Sequence, residues 1–313
     1  MKHRLIALAL TASLAACGGS SPQSDGPAVN VLELGIDGMS FVGPNEIKSG
    51  WTTVRVTNDS GLTHFGLVYR LPDGVTAQML SDEVVKPIQH SLTANIEGRT
   101  EDAARIAATI PVWIGDITYM GGPGMMSDGV TGEATMFLTP GNYIVECYVK
   151  TNGVQHNYHP EPGMHGMVLP LTVLEEEGGM AEPEANVTLD ISNGGYRIAD
   201  GAFQPGENSV RVNFVEQRLY NNFVGHDAHL FRIDGDTDVD RAATWVDFFP
   251  NDGQQTPAPA HYVGGIHDMP EGSTGYFKVD LAPGEYGIVA EVPDAQETGL
   301  FTTIEVPGGE TDS

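Results

Sequence analysis

Residues Pro140–Val173 read PGNYIVECYVKTNGVQHNYHPEPGMHGMVLPLTV. A Pro-Gly turn leads into a strand-like run that reaches Cys147. A long polar loop follows, and Pro170-Leu-Thr-Val173 reads as a second strand. His156, His159, Met164, His165 and Met167 lie between the cysteine and that strand. One thiol, three imidazoles and two thioethers make a soft ligand set, suited to copper and unsuited to calcium or magnesium. The stretch therefore sets two expectations: a β frame, and a metal site where one strand ends.

Cys17 is the second of the two cysteines. Residues 1–16 start with Lys2, His3 and Arg4 and continue with a short apolar run, Leu5 to Leu14. That is the pattern of a secretory leader and too short for a membrane span. Leu14-Ala15-Ala16-Cys17 resembles a bacterial lipobox, which implies cleavage before Cys17 and acylation of that residue. On this reading residues 1–16 are the leader. Residues 17–28, which have no apolar face, are a flexible lipid-anchored tether. The chain then sits in the cell envelope, held to a membrane through the lipid on Cys17. Gly18, in place of an acidic residue after the cysteine, points to the outer membrane. Export leaves Cys147 as a lone thiol in an oxidising compartment, where such a thiol is either buried or bound to something.

Lys and Arg number 15 against 42 Asp and Glu, a net charge of −27, and loss of the leader with Lys2 and Arg4 leaves −29. So acidic a chain is a poor partner for nucleic acid or an acidic lipid surface. The charge fits a solvated, salt-tolerant surface, or a docking face for a basic redox partner protein. No nucleophile elbow, phosphate loop or zinc-protease motif is present in the sequence.

The chain repeats itself. Residues 121–147 and 264–290 align without a gap, matching Gly121/Gly264, Gly122/Gly265, Met126/Met269, Gly132/Gly275, Leu138/Leu281, Pro140/Pro283, Gly141/Gly284 and Tyr143/Tyr286. Upstream, His64-Phe-Gly-Leu-Val-Tyr-Arg70 matches His226-Asp-Ala-His-Leu-Phe-Arg232. The expected units are residues 29–176 and 185–308, joined by an acidic linker at 177–184. Thr52–Asn58 and Asn208–Phe214 alternate polar and apolar residues, as half-buried strands do. Residues 75–90 and 100–110 read as helical in the first unit alone. In the second unit a Pro- and Gln-rich stretch, 249–261, reads as a surface loop. The fold class expected is all-β, two tandem Greek-key β-sandwiches, the first with one or two short helices inserted.

Several of these features together resemble the cupredoxins, the fold of the small blue copper proteins. They are an early histidine after the turn Asn58-Asp-Ser-Gly-Leu-Thr-His64, a Pro-Gly-x-Tyr turn into a strand, then Cys147, His159, Met164 and a closing Leu-Thr-Val strand. The resemblance implies one copper ion in the first unit, with His64, Cys147 and a His and Met of the later loop as ligands. A His-x4-Met spacing favours His159 with Met164, or with Met167 as an alternative thioether; His156 and His165 compete for the same places. In the second unit Ala290 stands where Cys147 stands, and Glu291–Phe301 contains neither His nor Met, so this unit resembles a cupredoxin without its copper site. His226 and His229, three apart on an expected strand, face opposite sides and form no chelate.

Two-domain cupredoxins include copper nitrite reductases and small laccases, in which histidines flank the cysteine and join it to a catalytic copper. Here Glu146 and Tyr148 flank Cys147, so the resemblance favours an electron carrier over an enzyme. Two alternatives stand beside it. One is a periplasmic Cu(I) carrier or store using Met164, His165 and Met167. The other is a metal-free surface lipoprotein whose sandwiches are interaction modules.

Overall fold

The computed structural model describes residues 28–221 and 223–308. The expected leader, the lipidation site Cys17 and all but the last residue of the tether lie outside the described residues.

The described residues form eighteen strands in chain order. They are β1 (Val31–Asp37), β2 (Ser40–Val42), β3 (Glu46–Asn58), β4 (Leu67–Arg70), β5 (Thr118–Tyr119), β6 (Val130–Leu138), β7 (Gly141–Glu146), β8 (Lys150–Thr151), β9 (Val154–Gln155) and β10 (Val168–Glu177). The second half adds β11 (Val187–Ser192), β12 (Gly195–Gly201), β13 (Gly206–Phe214), β14 (Ala228–Ile233), β15 (His261–Ile266), β16 (Thr274–Leu281), β17 (Gly284–Val289) and β18 (Phe301–Val306). The helices are α1 (77–96, with a π turn at Ser81–Val85), α2 (Thr100–Ala107) and α3 (Val239–Trp245). The fold is all-β, each half built on two sets of paired strands.

The two halves pair their strands in the same pattern. In the first, β2-β1-β3-β6 form one sheet and β5-β4-β7-β10 the other. In the second, β12-β11-β13-β16 and β15-β14-β17-β18 correspond. The alternation read from sequence is the alternation of burial. Val54 and Val56 on β3, and Val210, Val212 and Phe214 on β13, point inward. Arg55 points outward, where it binds Glu133 and Glu33. The repeated Pro-Gly-x-Tyr turn also has a mechanical reason. Tyr143 OH donates to Thr139 O at 2.8 Å and Tyr286 OH to Ala282 O at 3.0 Å, so each tyrosine ties its strand to the corner before it.

The halves share backbone. β6 pairs antiparallel with β16, at Thr135↔Tyr276 and Ala134↔Phe277, which joins one sheet of each half into a continuous sheet. Beside it the two repeated Gly-Gly segments lie along each other. Gly121 N donates to Asp268 O, Gly124 N to Gly265 O and His267 N to Gly122 O. This explains why the glycines repeat. Gly122 and Gly265 have φ of +116° and +130°, and a Cβ on either would overlap a carbonyl, that of Gly66 or Ala228.

Two expectations change here. The second half does carry a helix, the short α3, capped by Asp238 accepting from Arg241 N. Residues 249–261 are more than a surface loop. They dock on the first half, where Lys150 N donates to Gln254 O, Thr256 N donates to Lys150 O, and Gln254 is fully buried.

Candidate metal centre

His64, Cys147 and His156 meet in the interior of the first half, each 4 % exposed or less. Cys147 Sγ lies 3.6 Å from His64 Nδ1 and 3.9 Å from His156 Nδ1, and the two nitrogens are 3.2 Å apart. Metal bonds of about 2.0 Å to nitrogen and 2.3 Å to sulfur put trigonal or tetrahedral ligands about 3.3–3.8 Å apart. The three atoms are therefore spaced as ligands around one ion.

Local structure places each of them. Asn58 is buried and folds the turn before His64, its Nδ2 donating to Leu62 O and Met126 O while Ser60 N donates to its Oδ1. His64 then exchanges both backbone bonds with Met126, at 3.0 and 2.7 Å. Cys147 follows directly on β7, and its N–H donates to Met167 O at 3.1 Å. The eight residues between Cys147 and His156 are taken up by the tight hairpin β8–β9. Its turn is Asn152-Gly153, with φ of 53° and 75°, the left-handed pair that two-residue hairpin loops require. The hairpin returns the chain to Val149 O, which accepts from His156 N at 2.8 Å.

Support for the imidazoles comes partly from the other half. His156 Nε2 is 2.8 Å from Thr151 Oγ1, which bonds Thr256 Oγ1 at 2.7 Å. A proton donated there from Nε2 leaves the Nδ1 lone pair facing Cys147. Burial holds His64 down to about 4 and, together with His64, holds His156 down to about 3. Burial pushes the Cys147 thiol up to about 12. Without a metal the site is thus a neutral thiol and two neutral imidazoles. A cation must displace the thiol proton to bind the sulfur.

The remaining loop residues go elsewhere. Met167 is fully buried, and its N–H donates to His156 O at 2.8 Å while its carbonyl binds Cys147, so its backbone is tied to two of the three. His159, the histidine favoured by spacing, lies outside the trio; its Nδ1 accepts from Glu161 N at 3.2 Å. Met164 is 48 % exposed. His165 is not among the three groups that meet; burial, then the nearby His159 and Lys86, lower its pKa, while Asp82 opposes that. The reason is geometric: the hairpin shortens the path from Cys147, so the first histidine after it reaches the sulfur.

In the second half, His226 is buried and its Nδ1 faces Glu216 O, while Ala290 occupies the place of Cys147. A second cluster, missed in the sequence, lies beside it: Asp227, His229, His267 and Glu291, all buried. Burial disfavours a charged His229, while Asp227 and Glu291 favour one, a net upward pull. The ring has room for a single proton all the same. Met125 N–H donates to its Nδ1 at 3.1 Å, so the proton sits on Nε2, 2.9 Å from Asp227 Oδ2.

No protein-family model matches the sequence, and neither does any curated protein. Solved structures similar to the chain include auracyanin A, a "blue" copper protein from the green thermophilic photosynthetic bacterium Chloroflexus aurantiacus. It shows 16 % identity and a TM-score of 0.26, with 46 % of this chain and 98 % of that one covered. A multicopper oxidase shows 15 % identity and a TM-score of 0.21 over 92 % and 93 % of the two chains. The blue copper oxidase from Nitrosomonas europaea shows 15 % identity and 0.20 over 88 % and 85 %. The chemistry of the site rests on its own geometry.

Proposed function

We propose that this protein binds one copper ion in its first half and carries electrons, held to the envelope membrane by a lipid on Cys17. His64, Cys147 and His156 are the ligands, with Met167 as a weak fourth. The observation that carries this reading is the trio itself: one sulfur and two nitrogens, buried and 3.2–3.9 Å apart. Copper in a thiolate and bis-imidazole site cycles between two oxidation states. This chain's contribution is rigidity. Each ligand is tied by a backbone bond to its neighbours, through Met126 for His64, Met167 for Cys147 and Val149 for His156. Such a frame admits little rearrangement between oxidation states. The strongly acidic surface suits a basic redox partner, with association that weakens as salt is added.

The test is the visible spectrum of the purified protein after addition of Cu(II). An intense sulfur-to-copper band, absent in Cys147→Ser, supports the reading. No band, with Cu(I) bound equally well by Cys147→Ser, replaces it with a Cu(I) carrier. Binding of neither ion leaves a metal-free interaction module.

A further inference from the structure

The second buried cluster has the build of a separate metal site. Asp227 and Glu291 are 1 % and 0 % exposed. Among the described residues no Lys or Arg lies within ion-pair distance of either; their neighbours are His229 and His267. Two carboxylates left unpaired in a dry interior are strongly unfavourable. The fold does not demand them. By the shared strand register their equivalents in the first half are Phe65 and Tyr148, so the same positions pack well as aromatics.

Each carboxylate is oriented with one oxygen pinned and the other facing inward. Glu291 N donates to Asp227 Oδ1 at 2.9 Å, and Tyr148 OH donates to Glu291 Oε2 at 2.7 Å. That leaves Asp227 Oδ2 and Glu291 Oε1 at the centre; Glu291 Oε1 is buried without a hydrogen bond of its own, and His229 Nε2, whose proton goes to Asp227, lies 3.4 Å from it. His267 Nδ1 faces both at 3.8 Å. This is too long for a hydrogen bond. It is close to the separation of two ligands on one cation, about 3.3–3.6 Å for bonds of 2.0–2.1 Å. All the inward atoms fall within 4.8 Å of one another. His229 differs, because its Nδ1 is occupied by the Met125 N–H and its Nε2 carries the proton toward Asp227.

We propose that Asp227, Glu291 and His267 hold a divalent first-row cation of borderline hardness, such as zinc, with His229 as a positioning residue that orients Asp227. One nitrogen and two oxygens, without sulfur, suit Zn(II) or Mn(II) over Cu(I). The site is distinct from the cysteine site but touches it, since Tyr148 follows Cys147 and Phe65 follows His64. The Phe65 ring packs on His267 at 4.5 Å between centroids.

Cobalt(II) tests this, added to the full-length metal-free protein during refolding so that burial does not bar access. Bound cobalt is counted per chain, and a sulfur-to-cobalt band reports the cysteine site independently. The expected result is one cobalt fewer per chain in Asp227→Asn and in His267→Gln, with the sulfur band unchanged from wild type. His229→Gln, whose amide can still donate to Asp227, keeps the wild-type count. Equal counts in wild type and His267→Gln would overturn the site. Loss of the ion in His229→Gln as complete as in His267→Gln would overturn the role given to His229. Absence of the sulfur band from wild type and variants alike, with the cobalt counts still differing by one, would speak against the copper reading and leave this one standing.

Discussion

The two halves of the molecule put different chemistry on equivalent backbone. Where the first half has Cys147 and Tyr148 at the end of β7, the second has Ala290 and Glu291 after β17. Where the first has His64 and Phe65, the second has His226 and Asp227. Gly124 of the first corresponds to His267 of the second. One half thus encloses a sulfur and two nitrogens behind a wall of aromatics, and the other places carboxylates and imidazoles against that same wall. The comparison teaches that the sandwich fixes where side chains meet, while the residues at those places set which ion they suit.

The largest expected effect concerns what the second half lacks. Ala290→Cys in a Cys147→Ser background should give no sulfur-to-copper band, because no histidine follows it as His156 follows Cys147. In the first half, His156→Gln should abolish the band and His159→Gln should leave it intact; a spectrum of each decides between the two histidines. A band in His156→Gln that vanishes in His159→Gln would reverse the assignment.

Next in size is the symmetric Gly-Gly contact. Gly122→Ala and Gly265→Ala should each destabilise by about 3 kcal/mol, from a side chain at positive φ and a clash with a carbonyl. Similar losses in denaturant unfolding would show that the contact serves both halves equally. A loss confined to one variant would break the symmetry.

Lys150 gives an effect of similar or smaller size that depends on pH. It is buried where the 249–261 segment docks, with Nζ donating to Phe248 O and Pro250 O. Burial lowers it to about 8, below its ordinary value of 10.5. The folded state therefore binds fewer protons than the unfolded state between those values, and stability rises with pH across that window. The penalty is fully present below about pH 8 and amounts to about 3 kcal/mol. Wild type should gain stability relative to Lys150→Met from pH 8 to 10 in parallel urea titrations. Parallel curves would dismiss the buried charge.

The smallest effect is that of the paired tyrosine corners. Tyr143→Phe and Tyr286→Phe each remove the bond to a corner carbonyl, together with a side-chain partner, Thr139 Oγ1 for Tyr143 and Arg232 for Tyr286, and should each cost about 1 kcal/mol. Calorimetry on the two variants would compare the halves at this repeated corner.

Much of the fold was legible in the sequence because it is periodic. Alternating residues on β3 and β13, the Pro-Gly-x-Tyr corners and the gap-free repeat all report local backbone demands. The sulfur and nitrogen groups that meet in the first half were legible as well. Which histidine lies beside Cys147 was not, although one signal was present: Asn152-Gly153, a two-residue hairpin turn, removes most of the apparent distance between Cys147 and His156. A His-x4-Met spacing pointed to His159 instead, because spacing counts residues and ignores a hairpin that folds them back. The second cluster left no such signal. Asp227 and Glu291 are two of 42 acidic residues, 64 apart in sequence, and His267 comes from a third strand connection.

By itself the sequence determined that this is a duplicated all-β chain with one thiol-bearing half, since strand alternation, turn chemistry and repeated glycines act over a few residues. Tertiary structure decided which histidine faces Cys147 and that Asp227, Glu291 and His267 converge on one point. Those outcomes depend on how separate strands register across a sandwich, and on one half docking against the other. Distances of that kind are set by packing and backbone pairing between remote segments, which no local pattern encodes.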